Sequence, residues 1–168
     1  MFKPGQLVVY GGEGVCKVAD VGVPDLAGMK TDRIYYTLCP VGRNVTVYVP
    51  TDKAGSMRPV MTADEARALI RQMPDIEPLP VSHTGPFMQK DSYDHALHSH
   101  ERVDLVRILK TVYRKQHPAD ARGRQPGRID EEYRKRAETI LYSEFSAALD
   151  IPFEDVPAYI QKAVEGSV

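Results

Sequence analysis

A change of period at Thr62 constrains this chain more than any other feature. Residues 1–60 are built from short runs rich in Val, Ile, Tyr and Thr: QLVVY (6–10), GVCKVADVGV (14–23), RIYYTLCPV (33–41) and NVTVYVP (44–50). GGEG, PDLAGMKTD and GR separate them, and all three carry turn chemistry. No helical period intervenes, so the runs predict a small antiparallel β-barrel of SH3-like or Tudor-like form. In NVTVYVP, alternation sets Val45, Val47 and Val49 on one face and Asn44, Thr46 and Tyr48 on the other. One face packs inward and the other is free to meet a partner.

From Thr62 onward the pattern is helical. TADEARALIRQM opens with a Thr-x-x-Glu capping box, Thr62 with Glu65, and predicts a helix of about three turns. Residues 74–86, PDIEPLPVSHTGP, hold four prolines and read as a linker. In LVRILKTVYRKQ (105–116) and the residues before it, Val103, Val106, Leu109 and Tyr113 form an apolar stripe, widened by Leu105 and Val112. Asp130 reads as the N-cap of a further helix whose apolar side carries Tyr133, Ala137, Ile140, Leu141, Phe145 and Ala148. A last short helix, around 155–164, offers Val156, Tyr159, Ile160 and Ala163 to the same core. The expected architecture is α+β: a barrel over 1–60, a helix and Pro-rich linker over 61–86, and an all-α helical domain over 87–168.

Charge is the second signal. The formal net charge of −1 hides a segregation, because residues 102–136 carry eleven Lys and Arg against five Asp and Glu. That local +6 is the electrostatic footprint expected of a protein that meets a polyanion. Arg122, Arg124 and Arg128 are concentrated in a Gly/Pro loop next to Arg114, Lys115, Arg134, Lys135 and Arg136, and such groups release counterions from several phosphates at once.

Other chemistries find little support. GGEG lacks the Lys-Ser/Thr and following helix of a phosphate loop, and Glu13 would repel phosphate, so it reads as a turn with glycines at positive φ. His95, His98 and His100 are not spaced to face one ligand from one helix. Cys16 and Cys39 each sit in a strand-like run and read as buried thiols of a reducing compartment. No nucleophile–base set emerges, so no enzyme, cofactor, metal or small-molecule substrate is expected. The longest apolar runs span only a few residues, and Met1 leads into FKPGQLVVY without a signal-peptide core, so a cytoplasmic protein without a membrane anchor is expected.

FKPGQLVVYGGEGVCKV, NVTVYVP, SYDHALHSHERVDLVRILKTVYRKQ and IDEEYRKRAETILYSEFSAALDIP, in this order, resemble the CarD/CdnL family of bacterial RNA polymerase-binding transcription regulators. The resemblance implies a Tudor-like domain that docks on the polymerase β subunit, and a helical domain that contacts promoter DNA at the upstream edge of the melted bubble. It also implies stabilisation of the open complex by a Trp wedged into the minor groove. This chain has no Trp; the corresponding position falls at Pro86-Phe87, and Phe87 is the nearest apolar wedge. An Arg that some members use on the Val-Pro strand is Tyr48 here, and some basic helix positions are Glu131 and Glu132.

The resulting expectation is a bacterial transcription regulator, associated with the nucleoid through polymerase. Arg43, Thr46 and Tyr48 face polymerase, Phe87 is the wedge, and Lys90, Arg114, Lys115, Arg122, Arg124 and Arg128 contact phosphate with little reading of sequence. The rival is a polymerase-binding adaptor whose helical domain binds another protein and never touches DNA.

Overall fold

The computed structural model describes residues 1–28, 31–80, 86–116 and 126–166, with backbone only at 86–88 and 116. Five strands, β1 (Leu7–Tyr10), β2 (Gly14–Gly22), β3 (Tyr35–Pro40), β4 (Val47–Pro50) and β5 (Met57–Pro59), form one antiparallel sheet in the order β4-β3-β2-β1-β5. Four of them lie in the runs read from the sequence. The fifth, Met-Arg-Pro, is too short to show alternation. The sheet is Tudor-like in size and order but does not close into a barrel, since β4 and β5 remain its edges. Both edge strands are short and end in prolines, Pro50 and Pro59, which have no N–H to offer a closing ladder.

Strand alternation divides the sheet between two cores. Val8 and Cys16 are register partners and join Val18, Tyr36, Leu38, Val49 and Met57 in a cluster internal to the sheet. Val9 and Val15, the next pair, face the other way and belong to the core of the helices. GGEG is indeed a turn: Gly11–Glu13 make one 3-10 turn, with Gly11 at φ 44° and Gly14 at φ 77°.

The helices are α1 (Ala63–Gln72), α2 (Pro86–His98), α3 (Arg102–Gln116), α4 (Arg128–Leu149) and α5 (Val156–Glu165). The capping box is formed: Glu65 N–H donates to Thr62 Oγ1 at 3.1 Å, and Thr62 N–H to the Glu65 carboxylate at 2.8 Å. Tyr133, Ala137, Ile140, Leu141 and Phe145 of α4 are buried as expected, as is Val156 of α5. Two local readings are corrected. The N-cap of α4 is Gly127, three residues earlier than Asp130; Asp130 instead sits in the first turn and accepts the Gly127 N–H at 2.7 Å. On α3, Tyr113 is 61% exposed, and the buried line runs through Leu105, Ile108 and Val112. Neighbouring helices α2 and α4 cover that line, which rotates the buried face away from the Tyr113 side.

The proline stretch begins as a strap on α3. Lys110 Nζ donates to the carbonyls of Met73 (2.8 Å), Pro74 (3.2 Å) and Ile76, while buried Leu79 donates its N–H to Thr111 Oγ1 at 2.9 Å. Pro78 and Pro80 have no N–H to offer the Pro74 and Ile76 carbonyls four residues back, and one ammonium with three donors gathers these together with the Met73 carbonyl, which also accepts the Ile76 N–H at 3.2 Å.

Candidate functional site

The free edge of β4 is the first surface. Its register with β3 (Tyr35↔Pro50, Tyr36↔Val49, Thr37↔Tyr48, Leu38↔Val47) uses one side of the strand, and no described residue pairs with the other. Val49 is buried in the sheet's core, whereas Tyr48 is half-buried on the opposite face beside Thr37. The alternation expected over 44–50 is realised as strand only over 47–50, so Thr46 is exposed in the turn just before it. Arg43, in the same turn, is held rather than free. Its guanidinium ion-pairs with the Glu13 carboxylate and reaches the Glu13 carbonyl at 3.4 Å, tying the β3–β4 turn to the β1–β2 turn. Exposed Val41 and Val45 flank it.

The second surface is the end of the helical layer where α2 and α4 begin and α3 finishes. Tyr93 donates its hydroxyl to Asp130 Oδ1 at 2.5 Å, Lys115 Nζ donates to the same oxygen at 2.8 Å, and Tyr133 donates to Asp94. The Tyr93 and Tyr133 rings stack at 5.1 Å. Burial works against ionisation of Asp130, but the hydrogen bonds from Lys115, Tyr93 and the Gly127 N–H outweigh it and hold the carboxyl below its ordinary value. Burial and the Asp94 contact push the Tyr133 phenol up to about 12. These bonds bring the backbone position of Phe87, in the first turn of α2, to the same end as Lys90, Arg114, Lys115 and Arg128. The Phe87 side chain, Arg122 and Arg124 lie outside the described residues.

The cations of this end are unequally available. Lys115 is engaged by Asp130, Arg134 by Glu131 and Glu138, Lys110 by the strap, and Lys90 stands 3.6 Å from Asp94. Arg136 lies over the Tyr133 ring at 5.0 Å. Arg114, Arg128 and Lys135 are exposed and have no ion-pair partner among the described residues. No group of His, Cys, Asp and Glu among the described residues is arranged to hold a metal. An open groove of about 640 Å³ between α3, α4 and α5 is lined by Leu109, Tyr113, Tyr142, Ile160 and Val164.

Sequence reasoning missed a third feature, Glu144. It is 0% exposed, in the middle of the apolar side of α4, and binds donors from three other segments. Arg58 of β5 donates to its two oxygens at 2.8 and 2.7 Å, Arg102 at the start of α3 at 2.9–3.1 Å, and the Met61 N–H ahead of α1 at 2.8 Å. Burial opposes the charge, yet the two guanidinium groups hold the carboxyl below its ordinary value. The signal was present: a carboxylate at i+4 from Ile140, within the stripe that runs from Tyr133 to Ala148, has to find a partner.

Residues 2–61 match the family described as the CarD-like/TRCF RID domain. The match covers the N-terminal sheet and supports a CarD-like family, in a domain shared with TRCF, and a polymerase-binding role for that sheet. No protein of curated function matches the chain significantly. Among the described residues, no helix is long and apolar enough to cross a membrane.

Proposed function

We propose that the chain is a non-catalytic transcription regulator that docks on the β subunit of RNA polymerase through its CarD-like domain. Its helical end meets promoter DNA at the upstream edge of the bubble and so alters open-complex stability. The docking half draws its support from the match over residues 2–61 together with the unpaired β4 edge. An extended polymerase segment added to that edge would gain main-chain hydrogen bonds, with Thr46 and Tyr48 supplying selectivity. Arg43 contributes after exchanging Glu13 for a polymerase group. The DNA half draws its support from one observation: exposed Arg114, Arg128 and Lys135, with Arg136 on its tyrosine, occupy the end where two helix N-termini point. In this reading Phe87, Arg122 and Arg124 contact DNA as well.

The test is a pull-down with core polymerase, followed by open-complex lifetime with and without the protein and DNA binding as a function of salt. Four phosphate contacts give a slope near −3.6, or about 150-fold weaker binding between roughly 50 and 200 mM salt. The adaptor reading, in which the helical end binds another protein, predicts no salt-dependent DNA binding at all.

A further inference from the structure

The joint between sheet and helices has two kinds of contact, and they constrain it differently. Val9 and Val15 are buried among the helices, and Gly14 comes so close to α4 that an added Cβ would stand 2.7 Å from Ser143 Oγ. Apolar packing of this kind resists separation but is non-directional, so it tolerates sliding and tilting. The Glu144 carboxylate does not tolerate them. Its acceptor directions are shared among Arg58 at the last strand of the sheet, the Met61 N–H where the chain leaves the sheet, and Arg102 at the start of α3. Arg102 also reaches Pro59 O at 3.4 Å, so the guanidinium spans sheet and helix by itself. Charge-assisted hydrogen bonds to a fully buried acceptor are short and directional, and they are satisfied together at only one relative placement of the three segments.

We infer that Glu144 is a positioning residue that holds the β4 docking edge and the basic helical end at one fixed separation and angle. Its functional consequence rests on the docking reading above. With both surfaces on one rigid body, docking on polymerase delivers the basic end to a single stretch of promoter, and the second contact forms at high effective concentration. If the joint is loose, each surface keeps its own affinity but the joint engagement weakens.

The experiment uses the full chain with nitroxide labels on Lys53→Cys, just past β4, and Glu132→Cys, near the start of α4, in a Cys39→Ser background. Pulsed electron resonance then reads the distance distribution between them. The parent should give one narrow distance, and Glu144→Gln a broad one. Arg58→Gln, which leaves Glu144 bound to Arg102, should broaden it to a lesser degree and serves if Glu144→Gln fails to fold. In binding, the variants should keep their separate affinities for core polymerase and for duplex DNA within about twofold, yet lose about tenfold toward polymerase already on a promoter. A narrow distance in both folded variants overturns the inference, as does undiminished affinity for the polymerase–promoter complex. A parent chain that fails to bind polymerase would instead overturn the docking reading, and the distance measurement would still decide whether Glu144 fixes the joint.

Discussion

Replacing Gly14 with alanine tests whether the sheet and helices are joined as closely as the structure has them. Two penalties coincide there. Gly14 holds φ 77° and ψ −145°, a region that only glycine visits freely, and forcing a Cβ into it costs roughly 1–3 kcal/mol. The new Cβ also meets Ser143 Oγ at 2.7 Å and the Thr139 carbonyl at 3.1 Å, and overpacking of that order adds about 1–3 kcal/mol. Gly14→Ala should therefore lower stability by about 2–6 kcal/mol in urea denaturation. Ser143→Ala apportions the sum. Alone it deprives the Val15 N–H of its acceptor, at about 1–3 kcal/mol, because Ser143 Oγ accepts that N–H at 3.2 Å. Combined with Gly14→Ala it removes the closer overlap but leaves the backbone penalty and the Thr139 contact. The double variant should then be more stable than the sum of the single losses by about 1 kcal/mol. A Gly14→Ala chain within about 0.5 kcal/mol of the parent would refute the close approach and with it the shared core.

Four further outcomes are expected. Glu144 and Asp130 titrate below their ordinary 4.5 and 3.8 in the folded chain, so the stability they contribute is present above those values and lost as pH falls through the folded ones; melting temperature should fall progressively as pH drops below about 5, less steeply in Glu144→Gln. Tyr48→Asp should weaken polymerase binding without unfolding the chain, and unchanged binding by the folded variant would remove β4 from the interface. Arg122, Arg124 and Arg128 replaced together by Ser should flatten the salt slope of DNA binding by about one unit per lost contact, whereas an unaltered slope would return these residues to ordinary solvated surface. Phe87→Ala should shorten the open-complex lifetime at unchanged melting temperature, and a loss of roughly 3–5 kcal/mol of folding stability instead would assign the ring to the core.

What was legible in the sequence was local. Thr62 and Glu65 announce a capping box because both partners lie within one turn, and Val47 and Val49 announce a face because strand period needs no partner to be seen, although Val45, expected on that face, lies ahead of β4 and is exposed. The phase of α3 was harder, since Tyr113 continues an apolar stripe in sequence but its burial depends on where α2 and α4 lie. Barrel closure turns on whether two edges meet, which alternation along each strand does not encode. Glu144 was furthest from reach. Its donors lie 86, 83 and 42 residues away, so the carboxylate in the stripe could be noticed but its partners could not be chosen.

The same limit bears on the charge count that first pointed to a polyanion. Of the eleven cations in residues 102–136, Arg102, Lys110, Lys115 and Arg134 are engaged by Glu144, the strap carbonyls, Asp130 and the Glu131–Glu138 pair. The +6 already sets Lys115 against Asp130 and Arg134 against Glu131, but Glu144 and Glu138, outside the segment, match Arg102 and Arg134 as well; a matched charge releases few counterions when DNA approaches, so the usable footprint is smaller than +6 and free DNA should be held weakly. On the proposed reading that weakness has a use. A strong phosphate binder would be titrated by the excess of non-specific DNA around every promoter. A weak one, carried to its site by a sheet that grips polymerase, meets DNA at an effective concentration in the millimolar range only where polymerase has brought it. Restoring charge therefore tests the reading as sharply as removing it. Glu131→Gln with Glu138→Gln should free Arg134, steepen the salt slope and tighten binding to bulk DNA, and adding competitor DNA should then reduce the variant's effect on open complexes more than the parent's.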